Sequence, residues 1–244
     1  MLVTGSAGGI GKAMVRAFAE EGARVIAADL QEDANRALAA SLGDAVVPLE
    51  LDVTSEERWM EVFAQADRDY GGIDVLVNNA GFFQPNIPFE DMPLKLWRLH
   101  FAINLDGTFL GCKHAIRHMK SRGGAIVNIG SGMSITANPT ASAYCAAKAA
   151  VLMTTRTAAA NAGRYGVRVN AVLPGAVPTG MLMGNLAEGQ SEENLLENLR
   201  SHSPLGRLAT PEDIAAATLF LADPANAAVT GIYLPVDGGN MPGA

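Results

Sequence analysis

Short runs of apolar and β-branched residues alternate along the chain with longer stretches whose apolar positions recur at three- and four-residue spacing. The short runs read as strands buried on both faces, and the longer ones as amphipathic helices crossing from one strand to the next. Strands are expected at Met1 to Thr4, Arg24 to Ala28, Val46 to Leu51, Val75 to Val77, Ala125 to Ile129, Arg168 to Leu173 and Ile232 to Val236. Helical patterns lie between them at Ile10 to Glu21, Ser55 to Tyr70, Leu94 to Met119, Ala143 to Gly163 and Pro211 to Ala222. This alternation predicts the α/β class, with a single domain over 1–244 built on a doubly wound parallel sheet of about seven strands. One stretch breaks the pattern. From Val177 to Ser203, Met, Gly, Asn and Glu replace the tidy alternation, and only a short helix at Glu192 to Arg200 is expected. So long a connection inside a compact domain predicts a substrate lid over 177–203.

Composition narrows the function classes. With 49% apolar and 18% charged residues in 244, the chain can bury a sizeable core and is not disordered. A formal net charge of −7 without a block of Lys or Arg argues against nucleic acid or an anionic membrane as partner. No apolar run approaches the roughly 18 to 20 residues that span a bilayer, and Met1 leads straight into a strand-like Leu2-Val3-Thr4, so a cytoplasmic protein is expected. That first strand is short, which leaves the completeness of the N-terminus open. Cys112 and Cys145 offer neither a disulfide framework nor paired metal-ligand spacing and read as packed thiols. His114 and His118 stand four apart on a helix, but no third ligand follows at a recognisable spacing, so no metal site is expected.

The candidate chemistry begins at Thr4-Gly5-Ser6-Ala7-Gly8-Gly9-Ile10-Gly11, between the first strand and the first helix. Glycines there let backbone N–H groups approach a pyrophosphate at a helix N-terminus. A phosphate loop of the ATPase type would need Gly at Ser6 and Ser or Thr at Ala13, so Lys12 does not rescue that reading. The alternative is a tight structural turn. Asp29 ends the second strand, about where a dinucleotide fold places the acid that accepts hydrogen bonds from the adenine ribose; an ordinary strand-end Asp is the competing explanation. Asp52-Val53 and Asn78-Asn79-Ala80-Gly81 close the third and fourth strands, at the carboxyl ends where open α/β sheets bind ligands.

These motifs resemble, in order and over essentially the whole chain, the short-chain dehydrogenase/reductase family. The resemblance also takes in Asn104, Ser131, Tyr144-x3-Lys148, Pro174-Gly175-x-Val177-x-Thr179 and Val236-Asp237-Gly238-Gly239. It implies a Rossmann-like domain, a nicotinamide cofactor and an alcohol/carbonyl redox reaction. Cofactor contacts are implied at Gly5, Ser6, Gly9, Ile10, Gly11, Asp29, Asp52, Val53, Asn79, Ala80, Gly81, Tyr144, Lys148, Pro174, Gly175, Val177 and Thr179. Catalytic roles are implied for Asn104, Ser131, Tyr144 and Lys148, with Asn104 holding a water that connects Lys148 to solvent. Gly130 stands before Ser131 where the family often has Ser.

The chemistry of the pair can be argued from the residues. Four apart in a helical pattern, Tyr144 and Lys148 rise on one face. A phenol with an ordinary pKa near 10 is a poor base, but an adjacent ammonium and a cationic nicotinamide would both favour the phenolate. Ser131, at a strand's carboxyl end, could hydrogen-bond a developing alkoxide. Asp29, the uncharged Leu30 and Gln31, and the absence of Lys or Arg between Gly5 and Gly11 point to NAD rather than NADP. The expected activity is an NAD-dependent oxidoreductase acting on a secondary alcohol or ketone, with Phe83, Met133, Asn138 and Met181 shaping the substrate pocket. The alternatives are a 3-oxoacyl-thioester reductase and a non-catalytic NAD-binding scaffold. A homotetramer is expected, because Leu94 to Met119 and Ala143 to Gly163 carry apolar residues beyond a single face.

Overall fold

The computed structural model describes residues 1–187 and 189–240, so residue 188 of the expected lid and the last four residues of the expected domain lie outside the described residues. Seven strands form one sheet: β1 Leu2–Thr4, β2 Val25–Asp29, β3 Val46–Glu50, β4 Val75–Asn78, β5 Gly124–Ile129, β6 Val167–Pro174 and β7 Tyr233–Val236. Their order is β3-β2-β1-β4-β5-β6-β7, and every neighbouring pair is parallel. The chain runs outward from β1 to β3, returns to β4 and then runs outward the other way. The order therefore reverses between β1 and β4, where such sheets bind ligands beyond the strand ends. Short as it is, β1 sits in the middle of the sheet, with Leu2 beside Ile26 on one side and Leu76 on the other.

Successive side chains on a strand face opposite layers, so each strand feeds two cores. Leu2 and Ile126 join Trp59, Phe63 and Met119 on one side, while Val3 and Val127 join Met14, Phe18, Ile214 and Leu221 on the other. The helices are α1 Gly9–Glu20, α2 Glu32–Leu42, α3 Glu56–Tyr70, α4 Leu94–Phe101, α5 Gly107–Met119, α6 Ser142–Ala162, α7 Gly180–Met183, α8 Glu192–Ser201 and α9 Pro211–Ala222. Local sequence sets their ends. Ser55 Oγ accepts from the Arg58 N–H at the start of α3, and Gly71 closes that helix in the left-handed conformation at φ 73°. Thr210 and Asp213 cap each other across the first turn of α9, with Pro211 at its first position.

Two departures from the sequence pattern matter. α2 fills the β2 to β3 crossover, where no helix was expected, because only Asn35, Leu38 and Ala39 of its eleven residues are buried and the apolar stripe is faint. The single helix expected over Leu94 to Met119 is broken by a wide π turn at Ala102–Asp106. One extra residue in that turn brings the Asn104 carboxamide inward, where its Nδ2 donates to the Phe82 and His100 carbonyls and its Oδ1 accepts from the Phe82 N–H. Gly107 leaves room for the close packing of Val53 just beyond the turn.

Candidate active site

The glycine loop after β1 and the segment after β4 are stitched together at the point of strand reversal. Thr4 Oγ1 accepts from the N–H groups of Asn79 and Ala80, both at 3.0 Å, while Asn79 Nδ2 donates to the carbonyls of Thr4 and Gly5. Gly5 has φ +63°, and a Cβ there would lie 2.8 Å from Ala80 Cα, so both the turn and the close approach require glycine. Asp29 Oδ2 accepts from the Ala7 N–H at 2.8 Å and Oδ1 from the Gln31 N–H at 2.9 Å. The acid thus clamps the glycine loop to the end of β2, and each oxygen keeps a further lone pair. Ser6 donates its hydroxyl to Asn35 Oδ1 and its backbone N–H to the Ala28 carbonyl, which fixes the loop against the end of β2.

Helix α1 starts with Gly8 as its cap, without a side-chain hydrogen bond to its first turn and without an acid there. Its first N–H groups and its positive dipole end are therefore available to an anion. Thr179 stands beside that terminus: a Cβ on Gly9 would lie 2.7 Å from Thr179 Cγ2. Pro174 ends β6 next to Val236, the Gly175 N–H donates to the Val236 carbonyl, and Val177 is buried beneath the crevice. Ile10 packs against the same core. On the far side, Asp52 accepts from the Thr54 N–H and hydroxyl, and buried Val53 accepts from Trp59 Nε1. Glycines held open at a bare helix terminus, with a carboxylate at the end of β2, suit a dinucleotide with a diphosphate.

Ser131, Tyr144 and Lys148 meet at the carboxyl end of β5. Ser131 opens the tight turn Gly132–Ser134, its Oγ accepting from the Met133 N–H at 3.1 Å. Tyr144 lies in the first turn of α6, and Lys148 follows one turn later with Nζ 5.7 Å from the phenol ring centre. That ammonium donates to the Ile129 carbonyl at 2.8 Å. A Cβ on Gly81 would come within 3.1 Å of Asn104 Oδ1 and 3.7 Å of Lys148 Nζ, so all three share one corner. Asn104 Oδ1 and Nδ2 are engaged by Phe82 and His100, which ties the chain after β4 to the π turn.

The expected depression of the phenol counts a cationic nicotinamide beside the ammonium, and the protein's own groups act the other way. Burial pushes the Tyr144 phenol up to about 12, with Ser131 opposing, and pushes the Lys148 ammonium down to about 8. Desolvation is the largest influence on both groups, and on the phenol it outweighs the lowering by Ser131.

The other expected pocket residues divide. Phe83 sets its ring edge-on to Tyr144, with centres 4.7 Å apart, and Met133 follows Ser131. Met181 is 44% exposed on α7, which Asn86 ties to the chain after β4 by donating Nδ2 to the Asn185 carbonyl. Asn138 accepts from the Thr140 N–H and hydroxyl and lines a groove of about 660 Å³ with Trp97, Ser142 and Cys145. His100 was not singled out from sequence, although its i, i+4 spacing to Asn104 was available. It is fully buried with its ring 6.4 Å from that of Tyr144; Nε2 accepts from the Gln84 N–H, which assigns the Nδ1 proton to the Leu96 carbonyl. His114 and His118 pair with Glu56 and Asp67. Cys112 is buried, its thiol pushed up to about 12 by desolvation.

Comparison with known proteins agrees with this arrangement. The family described as Enoyl-(Acyl carrier protein) reductase matches residues 5–240. The chain is 40% identical to a cis-4-hydroxycyclohexanecarboxylate dehydrogenase of Sinomonas cyclohexanicum, over 98% of this chain and 94% of the relative. It is 37% identical to a 2,5-dichloro-2,5-cyclohexadiene-1,4-diol dehydrogenase of Sphingobium indicum, over 98% and 95%. A 3-ketoacyl-(acyl-carrier-protein) reductase from Brucella melitensis, solved with NADH, superposes with a TM-score of 0.90 at 29% identity, covering 98% of this chain and 96% of that one. Strand order, the glycine loop, the Ser131, Tyr144 and Lys148 cluster and these likenesses converge, and the chain belongs to the short-chain dehydrogenase/reductase family of oxidoreductases.

Proposed function

We propose that this chain is an NAD-dependent dehydrogenase/reductase that interconverts a secondary alcohol and a ketone, with Tyr144 as general acid/base. The observation that carries the reading is the corner at the strand ends that frame the glycine loop, where Lys148 Nζ lies 5.7 Å from the Tyr144 ring centre and shares its space with Gly81 and Asn104. Two dehydrogenases of ring alcohols among the relatives, and a structural neighbour solved with NADH, support the substrate type and the cofactor. The whole chain 1–244 acts as one cofactor-binding and catalytic domain, with 177–203 as its substrate lid.

The dinucleotide's diphosphate is held by the backbone of Gly5 to Gly11 at the start of α1, and its adenine ribose by Asp29. Asp52, Val53 and Asn79 to Gly81 border the rest of the crevice, with Pro174 to Thr179 opposite. When bound, a nicotinamide supplies the exchange of a hydride, two electrons and a proton, with the substrate carbon. In reduction, Tyr144 Oη gives its proton to the carbonyl oxygen; in oxidation it takes the proton of the hydroxyl. Ser131 Oγ orients that oxygen. Lys148 holds positive charge near the phenol, and Asn104 keeps the surrounding corner fixed.

The test is a panel of secondary alcohols and ketones with each nicotinamide cofactor, followed by the absorbance of the reduced form. Turnover that requires the cofactor is the expected result. A chain that binds the cofactor and turns over no carbonyl or alcohol would be a scaffold.

A further inference from the structure

Three segments of chain follow the carboxyl ends of β4, β5 and β6, the strand ends at which Tyr144 lies: residues 79–94, 130–147 and 174–199 in the sequence. Across all three there is no Lys or Arg. The acids Glu90, Asp91, Glu192, Glu193 and Glu197 are exposed on the first and third. The cations that come next along the chain are taken: Arg200 pairs with Glu197, and Arg207 with Asp213. Lys95 and Arg98 border a different groove, formed along α4 with Leu96 and Leu99. Inside the site, Lys148 donates to the Ile129 carbonyl, and His100 has both ring nitrogens engaged by backbone partners.

Phe83 and His100 stand beside the phenol ring, and the same segments carry further aromatic and thioether side chains. Phe83 stands edge-on to Tyr144, Phe82 packs at 4.8 Å on His100, Met133 follows Ser131, and α7 presents Met181. Such a surface fits a compact apolar body and gives one polar point, at Ser131 and Tyr144, to a single oxygen. A carboxylate brought there would leave water without a Lys or Arg of these segments to pair with, while Lys148 is already held by the Ile129 carbonyl and the segments' charged side chains are all acids.

We propose that the substrate of this site is an uncharged alicyclic alcohol or ketone, and that the chain discriminates against carboxylates and against acyl groups carried on a phosphorylated arm. The proposal rests on the dehydrogenase reading above and departs from the carboxylate named for the Sinomonas relative.

The test compares one ring in two charge states. The purified full chain is given 4-hydroxycyclohexanecarboxylate and its methyl ester and amide, as cis and trans isomers, with NAD or NADP in separate assays at low and high salt. The ester and amide should exceed the carboxylate in kcat/KM by about tenfold or more, with the gap narrowing as salt screens the acidic side chains. A readout independent of turnover is the rise in Tm with oxidised cofactor, which cannot reduce a ketone, and either methyl 4-oxocyclohexanecarboxylate or the free acid; the ester should give the larger rise. Met181→Lys should shift the ratio toward the carboxylate. Equal or preferential use of the carboxylate by the unmodified chain, or equal Tm rises, would overturn the proposal while leaving the dehydrogenase reading standing. If no ring compound in either charge state turned over or shifted Tm with either cofactor, this proposal would fall, and the dehydrogenase reading would stand or fall separately on the panel of secondary alcohols and ketones.

Discussion

Lys148 is 4% exposed, and burial drives its ammonium down to about 8 from the usual 10.5. Between those two values the unfolded chain binds more proton than the folded one, so this residue makes stability rise with pH there and carries its full penalty below about 8. Lys148→Met should remove that penalty. It should raise stability at pH 7 by about 1 to 3 kcal/mol, seen as a Tm several degrees higher, while turnover is lost. The gain should shrink by pH 10, where folded Lys148 is already neutral; an equal gain at pH 7 and pH 10 would contradict the assignment. The pair Tyr144 and Lys148 was legible in sequence from its spacing beside Ser131. The opposing effect of burial on the phenol was not, because a motif shows which charges stand nearby and not how thoroughly water has been removed.

At the scale of elements, the strands and the glycine loop were legible because β-branched runs bounded by glycine leave few alternatives. The π turn at Ala102–Asp106 was not, since one extra residue inside a long apolar helix leaves the surrounding period unchanged. Its worth can be measured. Asn104→Leu removes both donors and the acceptor that join Phe82 to His100 and leaves buried backbone groups without partners, at a cost of about 2 to 4 kcal/mol in urea unfolding. The loop makes a second prediction. A Cβ on Gly11 would collide with the Gly5 carbonyl, so Gly11→Ala should weaken cofactor binding at least about tenfold by calorimetry, by moving the loop backbone away from α1. Unchanged affinity would remove the loop from the binding site.

For the whole molecule, charge decides the choice of cofactor. The carboxylate of Asp29 is fixed at the end of β2, Leu30 beside it is 61% exposed, and no Lys or Arg lies between Gly5 and Gly11. A ribose phosphate there would meet an anion about 4 Å away, repelled by up to about 4 kcal/mol before solvent reduces it. NAD should therefore be preferred over NADP in kcat/KM, and Asp29→Ala should narrow the gap chiefly through NADP, along with some loss of loop order from the missing bond to Ala7. Assembly was read from helices apolar beyond one face, and Leu94, Leu99, Phe109 and Met153 do lie exposed on α4, α5 and α6. A homotetramer in sedimentation at micromolar concentration is the expected outcome, and a stable monomer would contradict it.

The central claim is that Tyr144 moves the substrate proton. Its most direct test is Tyr144→Phe, which removes one oxygen and leaves the ring against Phe83, with steady-state turnover and cofactor affinity measured on the same preparation. The account predicts a loss in kcat of about 10² to 10⁴ with cofactor affinity nearly unchanged. A variant that kept the unmodified kcat would contradict it.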